Sequence, residues 1–184
     1  MSAVDFRKAI QVIGSVLSVS SQSNESWNLE YFGESDVELV CRKFLVAGSL
    51  SNVNASHVDH IFEYRLAYNH AFEVPQLFMR AQTSGGSVLS SDMFWTLLIQ
   101  LMDHDSEGHV KFPTSSISQV EHPCLGVPFY QFHPCETANV LHEILVDDNN
   151  QGLCPIRVFI LWLTLFGHPL GLRIPMMASF YGLS

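Results

Sequence analysis

The segment IFEYRLAYNHAFEVPQLFMRA limits the fold more than any other. Phe62, Tyr64, Leu66 and Tyr68 alternate with Glu63, Arg65 and Ala67, and a period of two is the mark of a β-strand. The alternation predicts a strand over residues 59–69. Pro75 then marks a turn or a strand start, and QLFMRA, residues 76–81, reads as the next strand. So short a connection joins antiparallel partners, because parallel strands need a crossover of a dozen residues or more.

Other stretches fall in around this hairpin. Residues 27–32 read as a short strand, and VELVCRKFLV, residues 37–46, as a second, rich in β-branched side chains. Residues 127–133 read as a further strand. Phe6, Ile10, Ile13 and Leu17 recur at helical spacing, which predicts an amphipathic helix over roughly the first twenty residues. Ser90 or Ser91 caps a helix through Phe94, Trp95, Leu98 and Leu101. Ala138, Leu141, Ile144 and Leu145 mark a helix beginning near Cys135, and Cys154-Pro155 opens a last apolar helix that Gly167 and Gly171 break. Polar loops fall at residues 20–26, 84–87, 103–109 and 147–152. The loop DHDSEGH resembles a metal site in composition alone and reads as solvated. The expected class is α+β, a single domain over residues 1–184.

Composition removes several functions. The net charge is −9, so phosphate backbones are repelled and nucleic acid is a poor partner. The most apolar run, VFILWLTLF, is too short to span a bilayer and reads as a buried helix. No secretory leader is legible in MSAVDFRKAI, so the expected location is the cytoplasm. There Cys41, Cys124, Cys135 and Cys154 stay reduced rather than pairing as disulfides.

The chemistry concentrates between His122 and Glu143, in HPCLGVPFYQFHPCETANVLHE, where His-Pro-Cys occurs twice. Two imidazoles and two thiols are a set that zinc accepts, which makes a non-catalytic zinc-binding module one reading. The spacing argues against it. Structural zinc sites leave two to four residues between paired ligands, and a single proline stiffens the segment against that turn. A nucleophilic thiol needs access and freedom from deep burial, and a helix N-terminus favours its anion. Cys135 fits, since ETANVLHEIL reads as a helix directly after it. Glu136 is a like charge next door and tempers the effect. Cys124 precedes Leu125-Gly126-Val127-Pro128, a poor helix start, and reads as a small apolar residue in a loop. A thiol hydrolase would need a histidine base and an orienting group. Carrying an acyl group asks less, because a thioester is already activated.

Glu121-His122-Pro123, Leu125-Gly126-Val127-Pro128-Phe129 and His133-Pro134-Cys135-Glu136-Thr137 together resemble the active-site block of the autophagy E2-like conjugating enzymes. The resemblance is to the smaller branch, that of autophagy-related protein ten. EYRLAYNHAFEVPQLFMRA and WLTLFGHPLGLRIP resemble the same branch, so the likeness runs in order from about Tyr64 to the C-terminal end. It implies an E2-like core, a four-stranded antiparallel sheet flanked by helices. It implies that Cys135 takes a ubiquitin-like modifier, the twelfth autophagy protein, as a thioester from an E1-like activating enzyme. The modifier then passes to a lysine of an acceptor, the fifth autophagy protein. No metal or other cofactor is implied at this step, no stable membrane insertion, and a monomer is the default.

The resemblance also suggests roles. His133 would donate to the thioester oxyanion or steer the amine, or else hold the strand end. Tyr68 would bring its hydroxyl near the thiol, or else be core with Phe62, Tyr64 and Leu66. Asn69 is the next polar candidate. Two features depart from the pattern. Cys124 stands where an aliphatic residue is expected, and no asparagine follows His122-Pro123 to serve as the usual oxyanion donor. Only three lysines occur, Lys8, Lys43 and Lys111. The chain has no room for the long insertion of the sister branch that modifies a lipid, which favours a protein acceptor.

Overall fold

Six strands form one antiparallel sheet in the order β1-β2-β3-β4-β6-β5. The computed structural model describes residues 1–20, 24–34, 36–45, 59–103, 116–147 and 154–172. The elements are α1 (Ala3–Ser20), β1 (Glu25–Phe32), β2 (Asp36–Leu45), β3 (His60–Asn69), β4 (Val74–Thr83), α2 (Ser91–Asp103), β5 (Ile117–Glu121), β6 (Pro128–Phe132), α3 (Pro134–Asp147) and α4 (Pro155–Phe166). A 3-10 turn, His168–Leu170, follows α4. The acidic segment after α2 and the loop after α3 lie outside the described residues.

The expected hairpin is present. β3 and β4 pair antiparallel from His60↔Thr83 to Asn69↔Val74. The four-stranded expectation is corrected to six strands. β1 to β4 make a meander, β6 pairs with β4 at Phe78↔Gln131 and Met79↔Tyr130, and β5 pairs with β6. β5 has no legible sequence signal. ISQVE is short, mostly exposed and lies at an edge, so nothing in its pattern demands burial.

One face of the sheet carries the helices. Phe6, Ile10, Ile13 and Leu17 of α1, Phe62, Tyr64 and Leu66 of β3, Phe94 of α2, Leu141 of α3 and Phe159, Trp162 and Phe166 of α4 share one hydrophobic cluster. Each such side chain, fully buried, contributes about 1.5–3 kcal/mol. The apolar run of α4 buries Val158, Phe159, Trp162, Leu163 and Phe166, and no described helix is long and apolar enough to cross a membrane. Ser2 caps α1 by accepting the Asp5 amide at 3.1 Å. Ser90, rather than Ser91, caps α2 by accepting the Met93 amide at 3.4 Å.

The opposite face is polar in sequence yet largely covered. Glu63 and Arg65 are 1% and 3% exposed. Arg65 reaches Glu38 at 2.9 Å and Glu30 at 2.8 Å, and Arg42 reaches Glu63 at 3.0 Å. The turn from His122 to Val127 folds back over this face. Leu125 and Val127 pack there with Ala67, Phe78 and Phe129, and the Arg80 guanidinium lies 4.7 Å from the Phe129 ring centre. Paired charges tolerate burial where isolated ones do not. Burial pushes the Glu63 carboxyl up, but Arg65, Arg42 and Arg80 outweigh it and leave it below its usual value.

Candidate active site

β6 ends at Phe132, whose buried ring sits edge-on to Phe166 at 5.7 Å. His133 follows at the strand end, with its backbone amide donating to Ser116 O at 3.3 Å. Pro134 then opens α3 at a position where its missing N–H and fixed φ cost nothing. Cys135 is thus the second residue of the helix, half-buried, with Glu136 and His133 exposed beside it. This is the strand-to-helix junction expected from sequence.

His133 Nδ1 lies 2.6 Å from Cys135 Sγ, and the Cys135 amide donates to the same nitrogen at 3.3 Å. The amide contact is that of a helix cap, made by a ring nitrogen in place of a hydroxyl. Both contacts are satisfied when Nδ1 carries its lone pair, with the ring hydrogen on Nε2 and the thiol donating. Phe72, at the tip of the β3–β4 hairpin, stands edge-on to the His133 ring, 5.9 Å away at 81°. Among the described residues no carboxylate or side-chain amide hydrogen-bonds the His133 ring.

The first His-Pro-Cys makes the same local turn. The Cys124 amide donates to His122 Nδ1 at 3.3 Å. Gly126, with φ +64°, and Pro128 then prevent a helix. His122 is buried against Phe78 and Phe129, with ring centres 4.5 and 5.0 Å away. Cys124 is exposed. Burial, then Glu38 and Asp36, push its thiol up. Cys41 is buried, and desolvation raises its thiol strongly. The two His-Pro-Cys units do not pool their ligands. The metal-capable group among the described residues is Glu38, His122 and Cys124, without His133 or Cys135.

Tyr68 and Asn69 are placed differently from His133. The Tyr68 hydroxyl donates to Met1 O at 2.8 Å, and its ring contacts Phe6 and His70. No hydrogen bond links it to Cys135. Asn69 is committed to the hairpin turn. Its Oδ1 accepts the Ala71 and Phe72 amides at 3.0 Å each, and its Nδ2 donates to Gln76 at 2.9 Å. Sequence reasoning missed Phe72, Glu38 and Gln76. Phe72 sits between the two strands in a segment whose pattern says only that it turns.

The chain is similar to known proteins. The family model described as Autophagocytosis associated protein, active-site domain, matches residues 16–177. The chain is 33% identical over 124 residues to the ubiquitin-like-conjugating enzyme ATG10 of Dictyostelium discoideum, covering 62% of this chain and 52% of that one. It is 29% identical over 116 residues to the human ubiquitin-like-conjugating enzyme ATG10, covering 62% and 50%. The chain therefore spans about half the length of the curated relatives it matches. The crystal structure of the autophagic E2, Atg10, superposes with a TM-score of 0.56 at 15% identity, covering 94% of this chain and 98% of the other, which establishes the shared fold. The family-model match over residues 16–177 places the chain in the family of the autophagocytosis-associated protein active-site domain.

Proposed function

We propose that this chain, acting as one domain, is an E2-like conjugating enzyme with Cys135 as its acceptor. The contact of 2.6 Å between His133 Nδ1 and Cys135 Sγ carries the reading. In the first step Sγ attacks the thioester carbonyl of a ubiquitin-like autophagy modifier held on an E1-like enzyme. His133 takes the thiol proton and hands it to the departing E1 cysteine, which leaves as a thiol. In the second step a lysine amine of the acceptor protein attacks the Cys135 thioester. The amine loses its proton to His133, the C–S bond breaks, Cys135 recovers that proton as a thiol, and an isopeptide bond remains. The resemblance names the twelfth autophagy protein as modifier and the fifth as acceptor.

A His–Cys pair with no carboxylate or side-chain amide behind the histidine among the described residues favours carriage of an activated acyl group over peptide hydrolysis. Tyr68 is assigned no step, because its hydroxyl serves Met1. The test is a charging reaction with the E1-like enzyme, ATP and modifier. The wild type gives a reductant-sensitive adduct, and Cys135→Ser gives one that survives reductant. Cys154→Ser, at an exposed site, still charges. Charging of Cys135→Ala would overturn the assignment.

A further inference from the structure

Three side chains that conjugation leaves unused converge beside the first His-Pro-Cys turn. A ring nitrogen of His122, a carboxylate oxygen of Glu38 and the Cys124 sulfur lie within 4.8 Å of one another. Glu38 comes from the start of β2, and the other two from the turn before β6. His122 and Glu38 are 0% and 2% exposed, and Cys124 is open to solvent.

The His122–Glu38 contact is unusual. Nε2 lies 3.2 Å from Oε1, yet this buried nitrogen makes no hydrogen bond. The distance is right and the alignment is wrong, which for a hydrogen bond forfeits most of the interaction. Two ligands of one tetrahedral zinc, each about 2.0–2.1 Å from the metal, stand roughly 3.3 Å apart without pointing at each other. Imidazole, thiolate and carboxylate are all zinc ligands. The other Glu38 oxygen accepts from Arg65 at 2.9 Å, the kind of outer contact that orients a ligating carboxylate. A cavity of about 250 Å³ lined by Asp36, Glu38, His70, Gln76, Pro123 and Cys124 supplies an entry path and room for water.

We propose that Glu38, His122 and Cys124 bind a zinc-class divalent cation, with a cavity water as the fourth ligand. On binding, the Cys124 thiol gives its proton to solvent and the His122 ring hydrogen moves to Nδ1. The 3.3 Å contact from the Cys124 amide is given up in exchange. The ion ties β2 to the turn that leads through β6 into His133 and Cys135, so its role is to stiffen the approach to the thiol. It takes no part in acyl transfer.

The experiment uses the chelator-treated full chain. Zinc is titrated by calorimetry and cobalt(II) by absorption. One equivalent of zinc should bind and raise the melting temperature, and cobalt should give a thiolate charge-transfer band. Cys124→Ser, at an exposed position, should abolish the band and weaken zinc at least tenfold, while Cys135→Ser changes neither. Failure to reach one saturable equivalent overturns the site, as does a band that survives Cys124→Ser or depends on Cys135. No conjugation is read, so this outcome is independent of the proposed function.

Discussion

The two His-Pro-Cys tripeptides make the same local contact, from the cysteine amide to the ring two residues earlier, at 3.3 Å in each. What differs is the surroundings of each ring. The His122 ring is enclosed by Phe78 and Phe129, while the His133 ring stands at the surface against its own thiol. His133→Ala removes the group that moves the proton, so transfer should slow about 100-fold or more in single-turnover discharge, with folding intact. Tyr68→Phe loses one half-buried hydrogen bond and should cost about 0.5–1.5 kcal/mol in a denaturation curve, with the discharge rate unchanged. Slowed discharge at unchanged stability would instead put the hydroxyl in the chemistry. Sequence named both residues, but only long-range contacts separate them. The tyrosine's partner, Met1, is 67 residues away.

The β3–β4 hairpin acts as a single positioning element. Asn69 closes the turn, and amide contacts continue from Asn69 to Gln76 and on to Gln131 of β6. The tip is thereby fixed to the strand that delivers His133. Phe72 is 43% exposed, so its removal costs little core. Phe72→Ala frees the His133 ring and should slow discharge about ten- to a hundredfold, with little change in melting temperature. If melting falls while discharge holds, Phe72 is packing only. The hairpin itself was legible because alternation is a local property. Its tip was not, since a turn's sequence does not say what the turn approaches. β5 was missed for a related reason: an exposed edge strand pairs through its backbone and leaves little trace in side-chain pattern.

Across the molecule, the covered polar face ties β1 to β4 together through Glu30, Glu38, Arg42, Glu63, Arg65 and Arg80. Burial raises the Glu63 and Glu30 carboxyls, but their arginine partners outweigh it and both end below the usual value. Carboxyls depressed in the folded state contribute stability above their unfolded pKa of about 4.3, and that stability is lost as pH falls through the lower folded values. Melting temperature should therefore hold from neutral pH to about 5 and drop in acid. Glu63→Gln leaves the arginines facing a neutral amide in a buried site. It should cost about 3–5 kcal/mol at pH 7 and flatten the acid limb. An acid limb identical to wild type would assign that loss to other carboxyls.

Sequence alone settled what depends on near neighbours in the chain. The period-two hairpin, the 3.6-period helices and the proline that sets Cys135 at a helix start are all of this kind. Tertiary structure decided which charged residues are buried, that β6 rather than β5 lies against β4, that the Tyr68 hydroxyl turns to Met1, and that His122 meets Glu38. The reason is physical. Periodicity reports which side of an element is apolar, whereas pairing and burial of charge arise from groups that meet only when distant segments close on one another.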